Sequence, residues 1–253
     1  MKILVAAITM MISVSSFAQV TADEIIDNYF EAMGGKEAFR SLKGQKMMAN
    51  VEAQGMTIPL EMYMMADGRS ITKFEVMGMS MSQDAFDGEV AWGTNFMTQK
   101  AEKSETEDSE NKKRSIGEYP SPLLDYGDKG YSVELLEDAV VDGVDCYKLK
   151  VTLKPVLLEG EEVENVEYYY FDKETFVPLQ VEAEMMEGPE KGNMAITLYS
   201  DYQEVDGMYF AFSMTFKTED SDGQLIELDS IELNPEVSDD FFAFPAEEEE
   251  TEE

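Results

Sequence analysis

Methionine is concentrated in one stretch of the chain, residues 47–81. The thioether side chains of this stretch could contact apolar groups or bind a soft metal ion. The methionine side chain is unbranched and polarisable, so it adapts to irregular or variable apolar partners. In a strand, Met62 and Met64 share one face because alternate side chains point to the same side. Such residues either fill a core or line a cavity for an acyl chain, and the sequence leaves both open. The nine methionines of the stretch are Met47, Met48, Met56, Met62, Met64, Met65, Met77, Met79 and Met81.

The run Met77-Gly78-Met79-Ser80-Met81 also allows a metal-binding interpretation. On a strand its three thioethers would lie on one face, and sulfur ligands favour the soft ion Cu(I). Cysteine and histidine usually assist in such sites, and neither is close in sequence. A methionine-rich Cu(I)-binding module is therefore kept as an alternative function, while the main prediction assigns no metal ligand.

Aromatic and apolar side chains elsewhere could form the other walls of a cavity. Residues 208–217 alternate between large apolar residues and smaller or polar ones, and residues 168–171 are an aromatic run with rings on both faces of a strand. Trp92, the sole tryptophan, could line a cavity mouth or pack in the core. The predicted ligand-binding residues are Met62, Met64, Met77, Met79, Trp92, Tyr168, Tyr170, Phe210, Phe212 and Met214.

The residue types argue against an enzyme. The chain has no histidine, which is the commonest general base and the commonest metal ligand, and it has no Gly-x-Ser-x-Gly motif. Its single cysteine, Cys146, has no identifiable base partner and cannot form an intramolecular disulfide. Carboxylate pairs carry no information among 54 acidic residues. We therefore expect a protein that is not an enzyme and that uses no cofactor.

The charge of the chain excludes one class of partner. It has 54 Asp and Glu against 19 Lys and Arg, a formal net charge of -35. A nucleic-acid binder needs a basic surface to neutralise phosphates, so no nucleic-acid partner is expected. The hydrophobic fraction of 43% is ordinary for a folded protein, so the high charge does not by itself indicate disorder.

The two ends of the chain differ from the rest. Lys2 is followed by an apolar run, Ile3 to Val14, that is too short to span a bilayer, and Ser16-Phe17-Ala18 is typical of a signal-peptidase site. We predict a signal peptide over residues 1–18 and export to the periplasm without a transmembrane segment. Residues 19–245 are expected to form one domain, and the acidic residues 246–253 to be disordered.

A helix is expected first, followed by many strands. Thr21 and Glu24 match a capping box, apolar residues recur at helical spacing to Met33, and Gly34-Gly35 would end the helix, which predicts a helix over residues 22–33. Lys36 to Leu42 could add a short helical turn. The period then changes to two, and five Asp-Gly dipeptides separate the runs, which predicts about ten antiparallel strands. Residues 100–115 are expected to be a mobile loop or fringe helix, and residues 119–126 a short helix opened by proline.

Several sequence pieces, taken in order, resemble the LolA/LolB-like outer-membrane lipoprotein-sorting superfamily. They span most of the predicted mature chain: residues 29–35 (YFEAMGG), 86–92 (FDGEVAW), 169–175 (YYFDKET) with Pro178-Leu179, 201–207 (DYQEVDG), 234–237 (NPEV) and 241–245 (FFAFP). The resemblance implies a mainly β (α+β) fold. It would be a single curved antiparallel sheet, a half-barrel closed by the N-terminal helix and short lid helices.

The resemblance also implies a function without assigning individual residues. Family members carry or sense acylated lipoproteins or other lipids in the cavity between sheet and helices. The prediction is therefore a periplasmic carrier for a lipid or the acyl part of a lipoprotein, with a membrane-bound donor or acceptor protein as a possible partner. A ligand-free scaffold for protein interactions, with a core filled by its own side chains, is the third alternative.

Overall fold

The computed structural model describes residues 20–53, 55–219 and 221–245. Its helices are α1 (Ala22–Ala32), α2 (Lys36–Ser41) and α3 (Thr106–Arg114), and a 3-10 turn covers Asp239–Phe241. The strands are β1 (Gly44–Ala53), β2 (Met56–Met65), β3 (Ser70–Val76), β4 (Met79–Phe86), β5 (Ala91–Thr94), β6 (Ala101–Lys103), β7 (Ser132–Leu135), β8 (Ala139–Val141), β9 (Val144–Thr152), β10 (Val156–Leu158), β11 (Glu161–Val163), β12 (Val166–Asp172), β13 (Pro178–Glu184), β14 (Met194–Val205), β15 (Met208–Lys217) and β16 (Gln224–Leu233).

Two terminal predictions, the signal peptide at 1–18 and the disordered tail at 246–253, lie outside these described residues. Within the described part of the chain, no helix has the length and apolarity needed to cross a membrane.

Fourteen strands form one antiparallel sheet in the order β6-β5-β4-β3-β2-β1-β16-β15-β14-β13-β12-β9-β7, with β8 also paired to β9. A separate hairpin joins β10 to β11. The last strand, β16, pairs with β1, so both ends of the domain meet in the middle of the sheet. The sheet is open, not closed into a barrel. Within the described residues, the edge strand β6 pairs only with β5 and the edge strand β7 pairs only with β9.

The prediction of about ten strands was too low. The described residues contain sixteen strands, of which six (β5, β6, β7, β8, β10 and β11) are only three or four residues long. Alternation of side chains over three residues is not distinguishable from chance, so hydrophobic periodicity finds only the longer strands.

Helix α1 forms for the reason that the sequence suggests. The Thr21 hydroxyl accepts from the Glu24 backbone N–H at 3.2 Å, and the Glu24 carboxylate accepts from the Thr21 N–H at 2.8 Å. At the other end, Gly34 has φ +114°, and a Cβ there would lie 2.7 Å from the Gly207 carbonyl oxygen. Only glycine therefore lets the helix end approach the β14–β15 turn this closely.

The apolar stripe of α1 packs against one side of the sheet, which we call the inner face. Ile25, Ile26 and Phe30 of α1 are at most 2% exposed and contact a cluster that includes Leu149 of β9 and Phe171 of β12. The other side, the outer face, carries a separate cluster around Cys146 and Tyr170. Burial raises the pKa of the Cys146 thiol, which suits a structural residue.

The segment 119–126 is not the helix that its proline suggested. It forms successive turns, in which the Leu124 N–H donates to the Ser121 carbonyl and the Leu123 N–H donates to the Ser121 hydroxyl. Asp125 has φ +51°, a conformation that interrupts a right-handed helix. The segment nevertheless lies against α1, as Leu123 and Leu124 belong to the same buried cluster.

The polar stretch 100–115 is ordered, and its helix makes contacts on two sides. It contains β6 and α3, and α3 contacts β5 near one edge of the sheet and β10, which follows β9 near the other. The Asn111 side chain exchanges two hydrogen bonds of 2.7 and 2.8 Å with the Leu157 backbone, and the Ser109 hydroxyl accepts from the Ala91 N–H at 2.9 Å. Helix α3 therefore connects β5 of the main sheet with the separate β10–β11 hairpin.

Candidate binding cavity

A cavity of about 270 Å³ lies between the inner face and the elements that cover it. Tyr29 of α1, the C-cap residue Met33 and Phe39 of α2 line one wall, and the turn residues 120–122 (Pro-Ser-Pro) line the next. The opposite wall is the sheet, which contributes Gln45, Met47, Tyr169, Pro178, Val181, Tyr199, Tyr202, Tyr209, Phe210, Ala211, Met214, Leu228 and Ile231. Most of these side chains are apolar or aromatic, as expected for a site that takes an apolar ligand.

The cavity reaches the protein surface near Tyr209. This residue is 40% exposed although it lines the cavity, and its backbone N–H donates to the Met33 carbonyl at the end of α1. This hydrogen bond ties the end of α1 to β15 at this point.

Tyrosine hydroxyls supply most of the polar groups of the wall. The Tyr202 hydroxyl donates to the Pro178 carbonyl, and the Tyr169 hydroxyl donates to a Glu167 carboxylate oxygen at 2.6 Å. Burial raises the pKa of Tyr29 and of Tyr199 to about 12, so both phenols remain neutral at physiological pH. Neutral phenols keep the wall compatible with an apolar ligand.

Glu167 precedes Tyr169 by two residues on β12. Because alternate side chains of a strand point to the same side, its carboxylate lies on the inner face with Tyr169. Burial raises the pKa of its carboxyl, and its charge contributes to the raised pKa of Tyr199. No ion pair to Glu167 is present among the described residues. Glu167 itself is not part of the cavity wall and contacts it through the Tyr169 hydroxyl.

The turn segment that covers the cavity is held to the helices by polar contacts at the surface. The Arg40 guanidinium donates to both Asp125 carboxylate oxygens, at 2.7 and 2.9 Å, and the Tyr126 hydroxyl donates to Asp23. The Arg40 hydrogen bond lowers the pKa of the Asp125 carboxyl. These contacts form a latch between the turn segment and helices α1 and α2.

Of the ten residues predicted from sequence, the structure places Phe210 and Met214 in the cavity wall. Phe212 and Met62 lie next to it, since both pack in the cluster around Met47. Met64 lies further out, 42% exposed, with its sulfur 4.0 Å from the Gln45 side-chain nitrogen.

The other predicted residues lie elsewhere. Tyr168 and Tyr170 point to the outer face, where they pack with Cys146, because the inner-facing members of β12 are Tyr169 and Phe171. Met77 occupies the β3–β4 turn with φ +53° and is 78% exposed, so it does not share a strand face with Met79 and Met81. Met79 is half-buried on β4, away from the cavity.

Trp92 is a packed residue of a second apolar cluster. It is 5% exposed, and its indole N–H donates to the Phe242 carbonyl at 2.9 Å. Tyr63, Ile71 and Phe242 are among the other members of this cluster. We call this group the C-terminal cluster, since Phe242 brings the end of the domain onto the sheet.

Sequence reasoning missed Tyr29, Tyr169, Tyr199 and Tyr202 as cavity residues. Tyr29 belonged to a recognised helical stripe, and its neighbours on that stripe are fully buried, so periodicity alone marked it as core. The usable signal was the placement of tyrosines rather than phenylalanines at these positions, because a phenol suits a wall with a polar side.

A larger space of about 600 Å³ lies between β4, β5 and α3. Its walls are mostly polar, with Gln83, Asp84, Thr94, Asp108 and Asn111 among them. It gives an apolar ligand little shelter from water, so the smaller cavity under α1 is the better candidate site.

Comparison with known proteins identifies the fold. A family model described only as an uncharacterized protein matches residues 125–245. No curated protein sequence matches the chain. A LolA superfamily protein from Nitrosomonas europaea superposes with a TM-score of 0.53 at 15% identity, over 89% of this chain and 98% of that one.

Two further solved structures agree with this result. A putative outer membrane lipoprotein-sorting protein domain from Vibrio parahaemolyticus gives a TM-score of 0.52 at 13% identity, covering 87% of this chain and 94% of that one. A DUF1329 family protein from Desulfovibrio piger gives 0.52 at 14% identity, covering 89% and 98%. The chain therefore has a LolA-like fold, and the resemblance seen in the sequence is confirmed at the level of the fold.

Proposed function

We propose that this protein binds the acyl chain of a lipid or of an acylated lipoprotein in the cavity under α1, and that it is a periplasmic carrier rather than an enzyme. The observation that carries the proposal is the apolar cavity between the inner face, α1, α2 and the turn at 120–122. The LolA-like fold supports it, because two of the superposed proteins are described as lipoprotein-sorting or LolA proteins.

The size of the cavity limits the cargo. A volume of about 270 Å³ is slightly below the usual range for ligand pockets, roughly 300–1,000 Å³. One alkyl chain fits this space better than several. Because each buried methylene is worth about 0.8 kcal/mol, a chain that fills the cavity binds without any specific polar motif.

Loading requires the cover of the cavity to move. The latch contacts of Arg40 with Asp125 and of Tyr126 with Asp23 are at the surface, where ion pairs contribute little stability. These contacts are therefore easily broken, and the main resistance to opening is the burial of Leu123 and Leu124 in the cluster with α1. A carrier of this kind exchanges cargo with a donor and an acceptor, for which a membrane-bound protein is the proposed partner.

The test is to fill the cavity from within. Met214→Trp adds volume to the wall and should reduce the affinity for a fluorescent fatty acid at least tenfold. Overpacking costs about 1–3 kcal/mol, so folding is checked first by circular dichroism and thermal unfolding. Phe216→Trp, two residues further along β15 and at a position that is 43% exposed, is the matched control and should bind normally.

A folded Met214→Trp variant that binds the fatty acid as tightly as the wild type would remove this cavity from the proposal. Met214→Ala provides the opposite change, since it enlarges the cavity and should preserve binding. Loss of binding in both variants would point to disturbed folding rather than to occupied space.

A further inference from the structure

Three turns lie next to one another at one end of strands β1 to β6. Ala53 of β1 pairs with Met56 of β2, and Val76 of β3 pairs with Met79 of β4. The register between β2 and β3 sets the β1–β2 and β3–β4 turns at the same level. The β5–β6 turn follows at the same end, because β5 runs antiparallel to β4.

Each of these turns carries large apolar side chains that water reaches. Met77 in the β3–β4 turn is 78% exposed, and Phe96 and Met97 in the β5–β6 turn are 59% and 90% exposed. Met56, at the start of β2, is 40% exposed. A single exposed apolar residue is ordinary, but several at one end of a sheet indicate a contact surface. We call these four side chains the apolar rim.

The β5–β6 turn is held in shape by its own hydrogen bonds. The Asn95 side-chain oxygen accepts from the Met97 N–H at 2.8 Å and from the Thr98 N–H at 3.1 Å. The Gln99 N–H donates to the Asn95 carbonyl at 2.8 Å. The backbone that carries Phe96 and Met97 is therefore already ordered, so a partner that buries these side chains has little backbone left to order.

The rim lacks the acidic residues that dominate the chain. Residues 53–57 (AQGMT), 76–80 (VMGMS) and 94–100 (TNFMTQK) contain no Asp or Glu, although 54 of the 253 residues are acidic. The β15–β16 turn, at the same end of the sheet, differs because it contains Glu219 and Asp222. The rim therefore enters an apolar environment without taking a carboxylate out of water.

We propose that the apolar rim docks the protein on the surface of a lipid bilayer of low net charge, with Met77, Phe96 and Met97 inserted at the interface. The side chains belong to separate turns, and a fluid apolar phase surrounds each of them, whereas a protein partner needs a separate pocket for each. Such binding increases with the apolar area buried, and an anionic surface repels a chain with a net charge of -35. The inference goes beyond the proposed function, because docking requires no cargo in the cavity.

The experiment measures co-sedimentation of the purified protein with vesicles of phosphatidylcholine, alone or mixed with phosphatidylglycerol. The wild type should bind the neutral vesicles and should bind the anionic mixture more weakly. The double variant Phe96→Ser/Met97→Ser should bind neutral vesicles roughly tenfold more weakly or less, because two large apolar side chains no longer leave water. Met97→Ser alone changes a side chain that is 90% exposed, so it should keep the wild-type unfolding midpoint and show part of the loss.

Val140 provides the matched control. It is 64% exposed on β8, on the other half of the sheet, so Val140→Ser should leave vesicle binding unchanged. Phe96→Trp and Val140→Trp locate the contact, since the natural tryptophan, Trp92, is buried. On neutral vesicles the emission of Phe96→Trp should shift to the blue, and that of Val140→Trp should not. Equal losses in the serine variants at both sites, or a blue shift at both sites, would show non-specific adsorption and overturn the inference.

The outcomes separate docking from the proposed function. The rim variants should bind the fluorescent fatty acid as the wild type does, because no rim residue is part of the cavity wall. If the wild type does not bind neutral vesicles, the docking inference is wrong and the carrier function stands. A wild-type dimer that Phe96→Ser/Met97→Ser converts to a monomer would make the rim an interface between two copies and would also overturn the inference. If the protein binds vesicles but not the fatty acid, docking stands and the carrier function fails.

Discussion

The cavity under α1 and the C-terminal cluster are built from the same kinds of side chain, yet only one contains space. In the C-terminal cluster the chain supplies its own filler: Phe242 is 0% exposed, and its carbonyl accepts from the Trp92 indole. Under α1, aromatic rings and methionines surround about 270 Å³ that nothing in the described chain occupies. Composition therefore does not distinguish a packed core from a candidate binding cavity. The difference is whether a side chain of the protein fills the space between the apolar residues.

The largest expected effect comes from opening the filled cluster. Phe242→Ala should lower the free energy of unfolding by about 3–5 kcal/mol, because it removes a fully buried ring and leaves a void. Urea denaturation measures this change. The fatty-acid affinity of the cavity under α1 should remain that of the wild type, and a parallel loss of both would show that the two regions are one unit.

A smaller effect is expected from weakening the wall of the cavity. Thr21→Ala removes the hydroxyl that caps α1 and should cost about 1 kcal/mol. The same denaturation experiment measures it. Since α1 covers the cavity, the rate of fatty-acid uptake should rise; uptake at the wild-type rate would indicate that α1 does not move during loading.

The smallest effect on stability is expected at the latch. Arg40→Ala removes an exposed ion pair with Asp125, so the unfolding midpoint should hardly change while uptake of the fluorescent fatty acid accelerates. An unchanged uptake rate would exclude the turn segment as the moving cover. Lys43→Ala, an exposed cation nearby in sequence, is the control and should leave uptake unaltered.

The latch should also respond to acid, with a defined sign. The Arg40 hydrogen bond lowers the pKa of the Asp125 carboxyl in the folded state. Its stabilisation is therefore present above the unfolded pKa of about 4 and is lost as the pH falls through the lower folded value. Uptake by the wild type should accelerate below about pH 4, whereas Arg40→Ala should lack this step.

Local signals predicted the elements that consist of one clear pattern. The predicted helix over 22–33 differs from α1 by one residue, and the predicted strand over 208–217 has the bounds of β15. A capping box and ten residues of strict alternation each determine local structure with little help from distant parts of the chain.

The candidate cavity was harder to predict because it depends on contacts distant in sequence. The run 168–171 carries rings on both faces, and nothing within it shows that Tyr169, rather than Tyr168 or Tyr170, faces α1. Met77 follows the methionine pattern but lies in a two-residue turn between Val76 and Met79. Whether a packed aromatic borders space depends on the size of the side chain opposite it, which the sequence of one strand does not show.

The central claim, that the cavity under α1 holds one acyl chain, is tested most directly by native mass spectrometry of the protein purified from its native cells without detergent. We expect an added mass of the size of a single-chain lipid or a lipopeptide, lost in a Met214→Trp variant that is produced and purified in the same way. A bare polypeptide mass that stays unchanged after incubation with lipid would contradict the account, and an added mass of copper would favour a methionine metal site instead.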